Sequence, residues 1–378
     1  MFSNNKKRKT DRMLIRIGEK LRFAIIPWSK TELNDQLFIP RDLDGRIIMG
    51  KCISEKMRDE FIRLGHQVHT IDYYTDLKEV DYFLFYTIDW KLVRRLIKNG
   101  WASKMVYCNA EPPTVTLMNT PKGYQKLKRI FPYILTWNEN WIDNKSIFKR
   151  NIPYIFKENF GNIEFTKKKL LTGISGNKKS DYPDELYSKR EEVYTFFENR
   201  YPNDFTFYGS GWNREKHSCY GGKVLDKGEV FHQYKFAICF ENTKNVRGYI
   251  TEKIFDCLCN GIIPVYAGAD DIGEYLSEEC YIDYFRFKNN EQLAQYLYQM
   301  DEEEYTHRLE AIKKFLETGK KEQFISEGYT HYILAAVEHK KNFKPTLYGK
   351  LYVNIFCITE EISCYLRKFK KRILRKNV

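Results

Sequence analysis

The amino-acid sequence predicts an α/β protein with two Rossmann-like domains. Its 378 residues exceed the length that one hydrophobic core usually supports, so two domains are expected. Strand patterns alternate with helical patterns in two separate sets along the chain. This alternation is typical of parallel sheets with crossover helices, and it fixes the predicted fold class.

The first set of elements lies within residues 21–160, which we expect to form one domain. Three strands and two helices alternate there, and Gly65 and Gly100 are placed to end the helices. In chain order the segments are LRFAIIPW, SEKMRDEFIRLGHQV, VDYFLFYTI, WKLVRRLIKNG and SKMVYCNA. The polar stretch 154–168 then ends the periodicity and predicts the join to the second domain.

The second set, residues 168–335, predicts a second Rossmann-like domain. Its strands are KKLLTGISGN, DFTFYGSGW, YKFAICFEN and IIPVYAG, and its helices are YSKREEVYTFFENRY, TEKIFDCLCNG, NEQLAQYLYQM and YTHRLEAIKKFLET. Thr251 suits the N-cap of the helix TEKIFDCLCNG, and Gly261 suits its C-terminal end.

The net charge of +13 lies mainly in the two tails of the chain. Residues 1–20 form a basic N-terminal tail, in which residues 1–12 carry +4, and residues 367–378 carry +7. A nucleic-acid-binding protein usually carries its basic stripe on the folded domain. The nearly balanced middle of the chain therefore argues against nucleic acid as a partner.

Residues 345–378 predict a basic amphipathic helix at the C-terminus. Its apolar residues recur at three- and four-residue spacing and can share one face: Ile355, Ile358, Ile362, Tyr365, Leu366, Phe369 and Ile373. Basic residues surround the end of this stripe, which is typical of a helix that lies on an anionic membrane surface. The alternative is a solvated terminal helix that packs loosely on its own protein.

The sequence contains neither 18 uninterrupted apolar residues nor a signal-peptide pattern. Its nine cysteines are scattered and odd in number, which suits reduced thiols. We therefore expect a cytoplasmic protein that is peripherally associated with the inner face of a membrane.

The segment CFENTKNVRGYITEK places polar and charged side chains between two apolar runs. Glu241 and Asn242 follow a strand, and open parallel sheets bind ligands beyond the carboxyl ends of their strands. The next helix begins with unpaired N–H groups that suit a phosphate, and Lys253 in its first turn opposes the helix dipole until an anion binds. Glu252 can accept hydrogen bonds from sugar hydroxyls. The segment indicates a nucleotide-sugar site, and the alternative is a polar loop that caps an ordinary helix.

The segment YKFAICFENTKNVRGYITEKIFDCLCNGIIPVYAG resembles the signature of the α-1,3/4-fucosyltransferases, glycosyltransferase family 10. That pattern is Phe-Glu-Asn-Ser/Thr, a short variable loop, Tyr-x-Thr-Glu-Lys, an apolar helix and a strand with Pro-Val/Ile-x-x-Gly. Every fixed element is present, whereas SKREEVYTFF, YGSGW and VYCNAEPP resemble family segments more loosely. Arg247 lies in the variable loop and has no counterpart in the pattern.

The resemblance implies a GT-B fold, with a glycan acceptor on the first domain and GDP-fucose on the second. It implies an inverting transfer of fucose to an oligosaccharide, lipopolysaccharide or glycoconjugate, with an α-1,3/4 linkage and no obligatory metal or other cofactor. Two alternatives remain: a GT-B transferase that uses a different nucleotide sugar, and a non-catalytic surface-binding protein with an inactive transferase core.

The resemblance also assigns site residues by position. Arg190 and Lys253 are expected to contact the diphosphate, and the other expected donor-binding residues are Asn177, Ser210, Glu241, Asn242, Tyr249 and Glu252. Glu111 in NAEPP is expected to be the general base, because a positioned carboxylate can take the proton of an acceptor hydroxyl. The alternatives are a turn residue before two prolines for Glu111 and a solvated or ion-paired helix residue for Arg190.

The sequence does not predict a metal site. Asp42 and Asp44 in RDLDGR imitate the Asp-x-Asp motif of other glycosyltransferases, but this stretch lies outside the second domain and its Asp-Gly predicts a turn. His66 and His69 have no Cys or carboxylate pair nearby in sequence to complete a zinc site.

Overall fold

A computed structural model of the protein describes residues 20–41, 48–339 and 342–376, with only the backbone from residue 364 onward. Residues 1–19 of the predicted basic tail and the Asp42 and Asp44 turn lie outside the described residues. The chain divides into two compact units that are discontinuous in sequence. The first comprises residues 1–109, 129–134 and 337–378, and the second comprises residues 110–128 and 135–336.

The first unit contains a parallel sheet with the strand order β2-β1-β3-β4-β5. Its strands are β1 (Arg22–Ile26), β2 (Gln67–Thr70), β3 (Tyr82–Phe85), β4 (Met105–Tyr107) and β5 (Tyr133–Thr136), and its first two helices are α1 (Met49–Arg63) and α2 (Trp90–Lys98). β5 begins in the first unit and ends in the second. Strands β4 and β5 and most of β1 and β3 are buried on both faces, as is typical of parallel sheets covered by helices, whereas β2 alternates between buried and half-buried residues.

The second unit contains a parallel sheet with the strand order β11-β10-β9-β7-β8. Its strands are β6 (Ile147–Lys149), which lies beside the end of β5, and β7 (Lys169–Ile174), β8 (Phe205–Tyr208), β9 (Tyr234–Phe240), β10 (Ile263–Ala267) and β11 (Ile282–Asp283). Its helices are α3 (Pro121–Leu127), α4 (Tyr187–Arg200), α5 (Lys227–Phe231), α6 (Glu252–Cys259), α7 (Ile272–Tyr275), α8 (Asn290–Gln299) and α9 (Glu302–Glu317). Helix α10 (Ser326–Glu338) begins in the second unit, and its last two residues belong to the first.

Both predicted sets of alternating strands and helices are present, so the α/β fold class with two parallel sheets is confirmed. The predicted helix ends are also found. Thr251 caps α6 by accepting the Lys253 N–H at 3.4 Å, and Gly261 follows this helix with φ +63°. Gly65 and Gly100 follow α1 and α2 with φ +85° and +76°, a conformation that favours glycine.

Helix α11 (Leu347–Lys376) packs one face against α2 within the first unit. The Phe356 ring stacks on Trp90 with centroids 4.3 Å apart, and Val353 and Cys357 are buried. The other face exposes a stripe of apolar side chains, Tyr348, Leu351, Ile355, Ile358 and Ile362. The remaining side chains of the predicted stripe, from Tyr365 to Ile373, lie outside the described residues. None of the helices described is long and apolar enough to cross a bilayer.

Candidate functional site

A polar cavity of about 350 Å³ lies in the second unit, beside the residues that follow β7 and β9. Its lining residues are Ala110, Glu111, Ile152, Ser175, Gly176, Lys178, Tyr187, Arg190, Asn242, Tyr249, Thr251, Glu252 and Lys253. Six of the nine residues expected at the site from the sequence are in this lining: Glu111, Arg190, Asn242, Tyr249, Glu252 and Lys253. The volume falls in the range of small-molecule sites.

The other three expected residues lie outside this lining. Glu241 is fully buried, and its carboxylate accepts hydrogen bonds from the Thr251 N–H at 2.8 Å and the Thr251 hydroxyl at 2.7 Å. Asn177 and Ser210 join the loops after β7 and β8, where the Asn177 N–H donates to the Ser210 carbonyl at 2.8 Å. Glu241 therefore fixes the start of α6, and the other two residues support the loop that carries Gly176 and Lys178.

Lys253 is held at the N-terminus of α6 by its own chain. Its Nζ lies 3.2 Å from Glu241 Oε2, 3.0 Å from Thr251 Oγ1 and 3.5 Å from Glu252 Oε1. Burial opposes the charge of Lys253, but the carboxylates of Glu252 and Glu241 outweigh it and hold the pKa of this lysine above its usual range. Lys253 therefore stays protonated at the cavity wall despite the helix dipole.

Arg190 is buried, with 3% of its surface exposed, although it lies on a helix of charged appearance. Its Nη2 donates to the carbonyls of Phe240 at 2.6 Å and Glu241 at 3.1 Å, and its guanidinium carbon lies 5.6 Å from the centre of the Tyr187 ring. The alternative of a solvated or ion-paired helix residue is therefore wrong. Two backbone carbonyls at the end of β9 hold this cation against the cavity.

The cavity is suited to an anion. Lys178, Arg190 and Lys253 line it together with the two carboxylates Glu111 and Glu252. Among the residues described, no carboxylate lies within ion-pair distance of Lys178 or Arg190. Two cations without a paired anion, next to the N-terminus of α6, form an environment in which a phosphate group is stabilised.

Glu111 reaches the cavity from the segment that follows β4. The Trp137 indole N–H donates to the Ala110 carbonyl at 2.9 Å, and the Asn119 amide donates to the Glu111 carbonyl at 2.5 Å. Burial raises the pKa of the Glu111 carboxyl above its usual value, and the nearby Lys178 opposes this rise. A carboxylate with a raised pKa is a stronger base, which suits the abstraction of a hydroxyl proton.

The loop between β9 and α6 is fixed by contacts on both sides of Tyr249. The Tyr249 ring packs on Trp137 with centroids 4.7 Å apart. Gly248 has φ +77°, and its N–H donates to Asp271 Oδ1 at 2.9 Å. Arg247, which has no counterpart in the family pattern, pairs with Glu274 at 2.6 Å and lies 3.8 Å from Asp271. The variable loop thus carries an ion pair that holds it in place.

Three carboxylates of this region, Glu139, Asp271 and Glu274, bring ligand atoms within 4.8 Å of one another. Lys149 pairs with Glu139, and Arg247 pairs with Glu274. None of the three carboxylates lines the cavity. One lysine charge and one arginine charge thus neutralise most of the negative charge of this cluster. Ion pairing therefore explains why the three carboxylates lie close together.

Comparison with known proteins identifies a family for the second half of the chain's alternating elements. Residues 166–321 match the family model described as glycosyltransferase family 10 (fucosyltransferase), C-terminal. These residues are a glycosyltransferase family 10 domain. The family 10 domain contains every expected donor-binding residue, from Asn177 to Lys253, whereas Glu111 precedes it.

Sequence relatives of the chain are fucosyltransferases that match over short segments. An α-(1,3)-fucosyltransferase of Helicobacter pylori is 36% identical over 77 residues, which are 20% of this chain and 16% of that protein. An α-(1,4)-fucosyltransferase of Arabidopsis thaliana is 38% identical over 64 residues, which are 17% of this chain and 16% of that protein. The matched segments thus span about a sixth of the length of these relatives.

Solved structures with the same fold cover most of the chain. A crystal structure of an α1,3-fucosyltransferase matches with a TM-score of 0.54 and 15% identity, over 86% of this chain and 91% of that one. A crystal structure of α1,3-fucosyltransferase with GDP-fucose matches with a TM-score of 0.51. The likeness confirms the GT-B fold class around the family 10 domain.

Sequence reasoning missed several residues that shape the cavity: Ala110, Trp137, Ser175, Gly176, Lys178, Tyr187 and Gly248. Lys178 could have been found, since it follows β7 at the same end of the sheet as Asn242 after β9. Trp137 and Tyr187 gave no local signal, because an aromatic residue next to an apolar run looks like any other core residue.

Proposed function

We propose that the protein is an inverting fucosyltransferase that moves fucose from GDP-fucose to a hydroxyl of a glycan acceptor. The observation that carries this proposal is the cavity that gathers Glu111, three cations and the N-terminus of α6 beside the family 10 signature. The named fucosyltransferase relatives support the choice of donor. We assign the donor to the second unit, the acceptor to the first, and an α-1,3/4 linkage to the product.

Binding of the donor is explained by the charges of the cavity. Lys178, Arg190 and Lys253 would face the diphosphate, and the Thr251-capped start of α6 adds oriented N–H groups. Asn242, Tyr249 and Glu252 would contact the nucleoside or sugar hydroxyls. The three cations, of which Arg190 and Lys253 are held by hydrogen bonds, would supply the charge stabilisation that a divalent ion supplies in other transferases, which supports a metal-independent reaction.

The transfer step follows from the placement of Glu111. Its carboxylate takes the proton of the acceptor hydroxyl while the acceptor oxygen forms a bond to C1 of fucose. The bond between C1 and the β-phosphate oxygen breaks, and GDP leaves with that electron pair. Attack on the face opposite the leaving group inverts the anomeric carbon. The negative charge that develops on GDP is stabilised by Arg190, Lys253 and the α6 N-terminus.

Nucleotide binding tests the donor assignment without knowledge of the acceptor. Calorimetric titrations of the full chain with GDP, UDP and CMP in the presence of EDTA should show that GDP binds best. We expect a preference of about tenfold or more, equivalent to about 1.4 kcal/mol. A preference for UDP would indicate that the donor is a UDP-sugar and would contradict the assignment of GDP-fucose. Absence of binding to all three would favour the inactive-core alternative.

The Glu111→Gln variant tests the base. We expect turnover of GDP-fucose to fall by about 10²-fold or more while GDP affinity stays near that of the wild type, because only proton transfer is removed. Glu164→Gln is the matched control, since Glu164 is an exposed residue of the same unit that lies outside the cavity lining and pairs with Lys167. Turnover of Glu111→Gln equal to that control would refute the assignment of the base.

We further propose that α11 holds the protein on the inner, anionic face of a membrane. The exposed stripe Tyr348, Leu351, Ile355, Ile358 and Ile362 supports this proposal, because the opposite face of the same helix already packs on α2. Seven basic residues follow between positions 367 and 376. Apolar side chains on one face and a cluster of cations beside it are the two components of interfacial binding.

A further inference from the structure

We propose that two exposed aromatic rings of the first unit form a binding platform for a neutral pyranose ring of the acceptor. The platform consists of Trp28 and Tyr73, each backed by a second ring, Tyr86 and His69 respectively. The assignment of the ligand as a glycan rests on the proposed function. The platform itself rests on contacts within the first unit.

Both exposed rings belong to segments that follow the carboxyl ends of neighbouring strands of the first sheet. Trp28 follows β1 by two residues, and Tyr73 closes the 3-10 turn Ile71–Tyr73 that follows β2. β1 and β2 are neighbouring parallel strands, with Ile25 paired to Thr70 near their carboxyl ends. Ligands of open parallel sheets bind beyond this end of the strands.

Each exposed ring is held in place by the ring behind it. Trp28 is 46% exposed, and its ring centroid lies 4.6 Å from that of Tyr86, which is itself buried. Tyr73 is 58% exposed and stacks on His69 at 3.6 Å with an interplanar angle of 5°. Rings that are already fixed lose little side-chain freedom when a ligand covers them, so the platform is prepared for stacking.

Hydrogen bonds connect the loop after β1 to the end of β2 and to the turn that carries Tyr73. The His69 ring lies 2.7 Å from Asp35 Oδ2, and Asp35 Oδ1 accepts the Thr70 N–H at 2.8 Å. The Asn34 N–H donates to Asp72 Oδ2 at 2.7 Å. The loop after β1, which begins near Trp28, is thus tied to the segment after β2, which carries Tyr73.

The exposed surface of these rings matches a sugar better than a peptide or a phosphate. Large aromatic side chains normally bury most of their area, so two of them at one sheet edge indicate a ligand surface. A pyranose ring has an apolar face of C–H groups that stacks on an aromatic ring and a rim of hydroxyls that hydrogen-bonds to polar neighbours. Ser29 and Asp72 flank Trp28 and Tyr73 and offer such polar groups.

Saccharide binding by the full chain tests the platform. Saturation-transfer NMR with lactose, N-acetyllactosamine, cellobiose and chitobiose should detect at least one ligand. Trp28→Ala and Tyr73→Ala should each raise its Kd by about fivefold or more, the effect expected from loss of one stacking partner. Trp28→Phe and Tyr73→Phe keep a ring and should stay within about twofold of the wild type, because the stacking partner remains. Phe285→Ala, at an exposed aromatic residue of the second unit, is the matched control and should bind like the wild type.

A parallel titration with GDP separates the two possible failures. If the wild type binds GDP but none of the four saccharides, or if both alanine variants bind saccharide like the control, the platform is refuted and the proposed donor site stands. If the wild type binds saccharide through these rings but does not bind GDP, the proposed transferase fails and the platform stands.

Discussion

At the scale of single residues, the protonation of Glu111 decides at which pH it can act as a base. Burial raises the pKa of its carboxyl, and the Lys178 charge is the largest opposing influence. Only the carboxylate form accepts a proton, so kcat/KM should fall as the pH drops through this pKa. In the proposed function, the same lysine would therefore both face the diphosphate and set the acid limit of activity.

Lys178→Met should move the acid limb of the kcat/KM profile for GDP-fucose turnover to higher pH. The substitution removes the largest of the influences that lower the pKa of Glu111, so the carboxyl takes up its proton at a higher pH. Lys178→Arg keeps the positive charge and should keep the wild-type limb. A loss of GDP affinity would lower kcat/KM at every pH but would not move the acid limb of the pH profile. An acid limb that stays at the wild-type pH in Lys178→Met would therefore contradict the role of Glu111 as the base.

At the scale of elements, the loop between β9 and α6 links the segment of Glu111, the proposed base, to the proposed donor site. Trp137 contacts both sides, since its indole donates to Ala110 next to Glu111 and its ring packs on Tyr249. The loop passes close to Trp137 at Gly248, where a Cβ would lie 2.2 Å from the Trp137 carbonyl oxygen. Gly248 has φ +77°, so the position requires glycine for its conformation and for space.

Gly248→Ala should weaken GDP binding and lower the thermal unfolding temperature. The added methyl group displaces the loop that carries Tyr249, and a left-handed non-glycine residue costs about 1–3 kcal/mol of strain. Gly65→Ala is the matched control, because Gly65 has φ +85° with nothing within 4 Å of a Cβ. The control should lose stability but bind GDP normally, and equal GDP affinity in both variants would show that the loop tolerates displacement.

The elements of the second sheet could be predicted from sequence because their signals are local. β9 is a continuous apolar run, Thr251 and Gly261 mark the ends of α6, and polar residues follow the strand. The short strands β5 and β6 were not predicted, since segments of only four and three residues, YILT and IFK, are too short for their pattern to distinguish a strand from a buried helix. The burial of Arg190 was also missed, because it depends on carbonyls 50 residues away.

At the scale of the whole molecule, the sequence predicted two Rossmann-like sheets but gave no sign of the discontinuous units. Residues 129–134 and 337–378 belong to the first unit, although the chain between them belongs to the second. This division of the chain depends on contacts between residues that are far apart in sequence. For example, the Tyr133 hydroxyl donates a hydrogen bond to the His339 carbonyl at 3.3 Å, and no local sequence pattern encodes such a contact. The position of Glu111 in the second unit has the same origin.

The C-terminal helix α11 packs on the first unit with one face and is proposed to contact a membrane with the other. Mutation can test the exposed face without changing the packed face. The triple variant Ile355→Ser, Ile358→Ser, Ile362→Ser removes exposed apolar side chains but keeps the packed face of Val353, Phe356 and Cys357. We expect its binding to phosphatidylglycerol vesicles to weaken by more than about tenfold, because each buried isoleucine contributes up to about 1.5–3 kcal/mol. GDP affinity should not change.

Vesicle composition and salt separate the apolar and the charged contributions of this helix. Wild-type binding to phosphatidylglycerol vesicles should decrease as salt is added and should be weak on pure phosphatidylcholine, since the basic residues between positions 367 and 376 act through screened charges. The stripe also has the 3-4 spacing of a coiled coil. Sedimentation that shows a wild-type dimer and a monomeric triple variant, with unchanged vesicle binding, would assign the stripe to a second copy of the chain and contradict the membrane role.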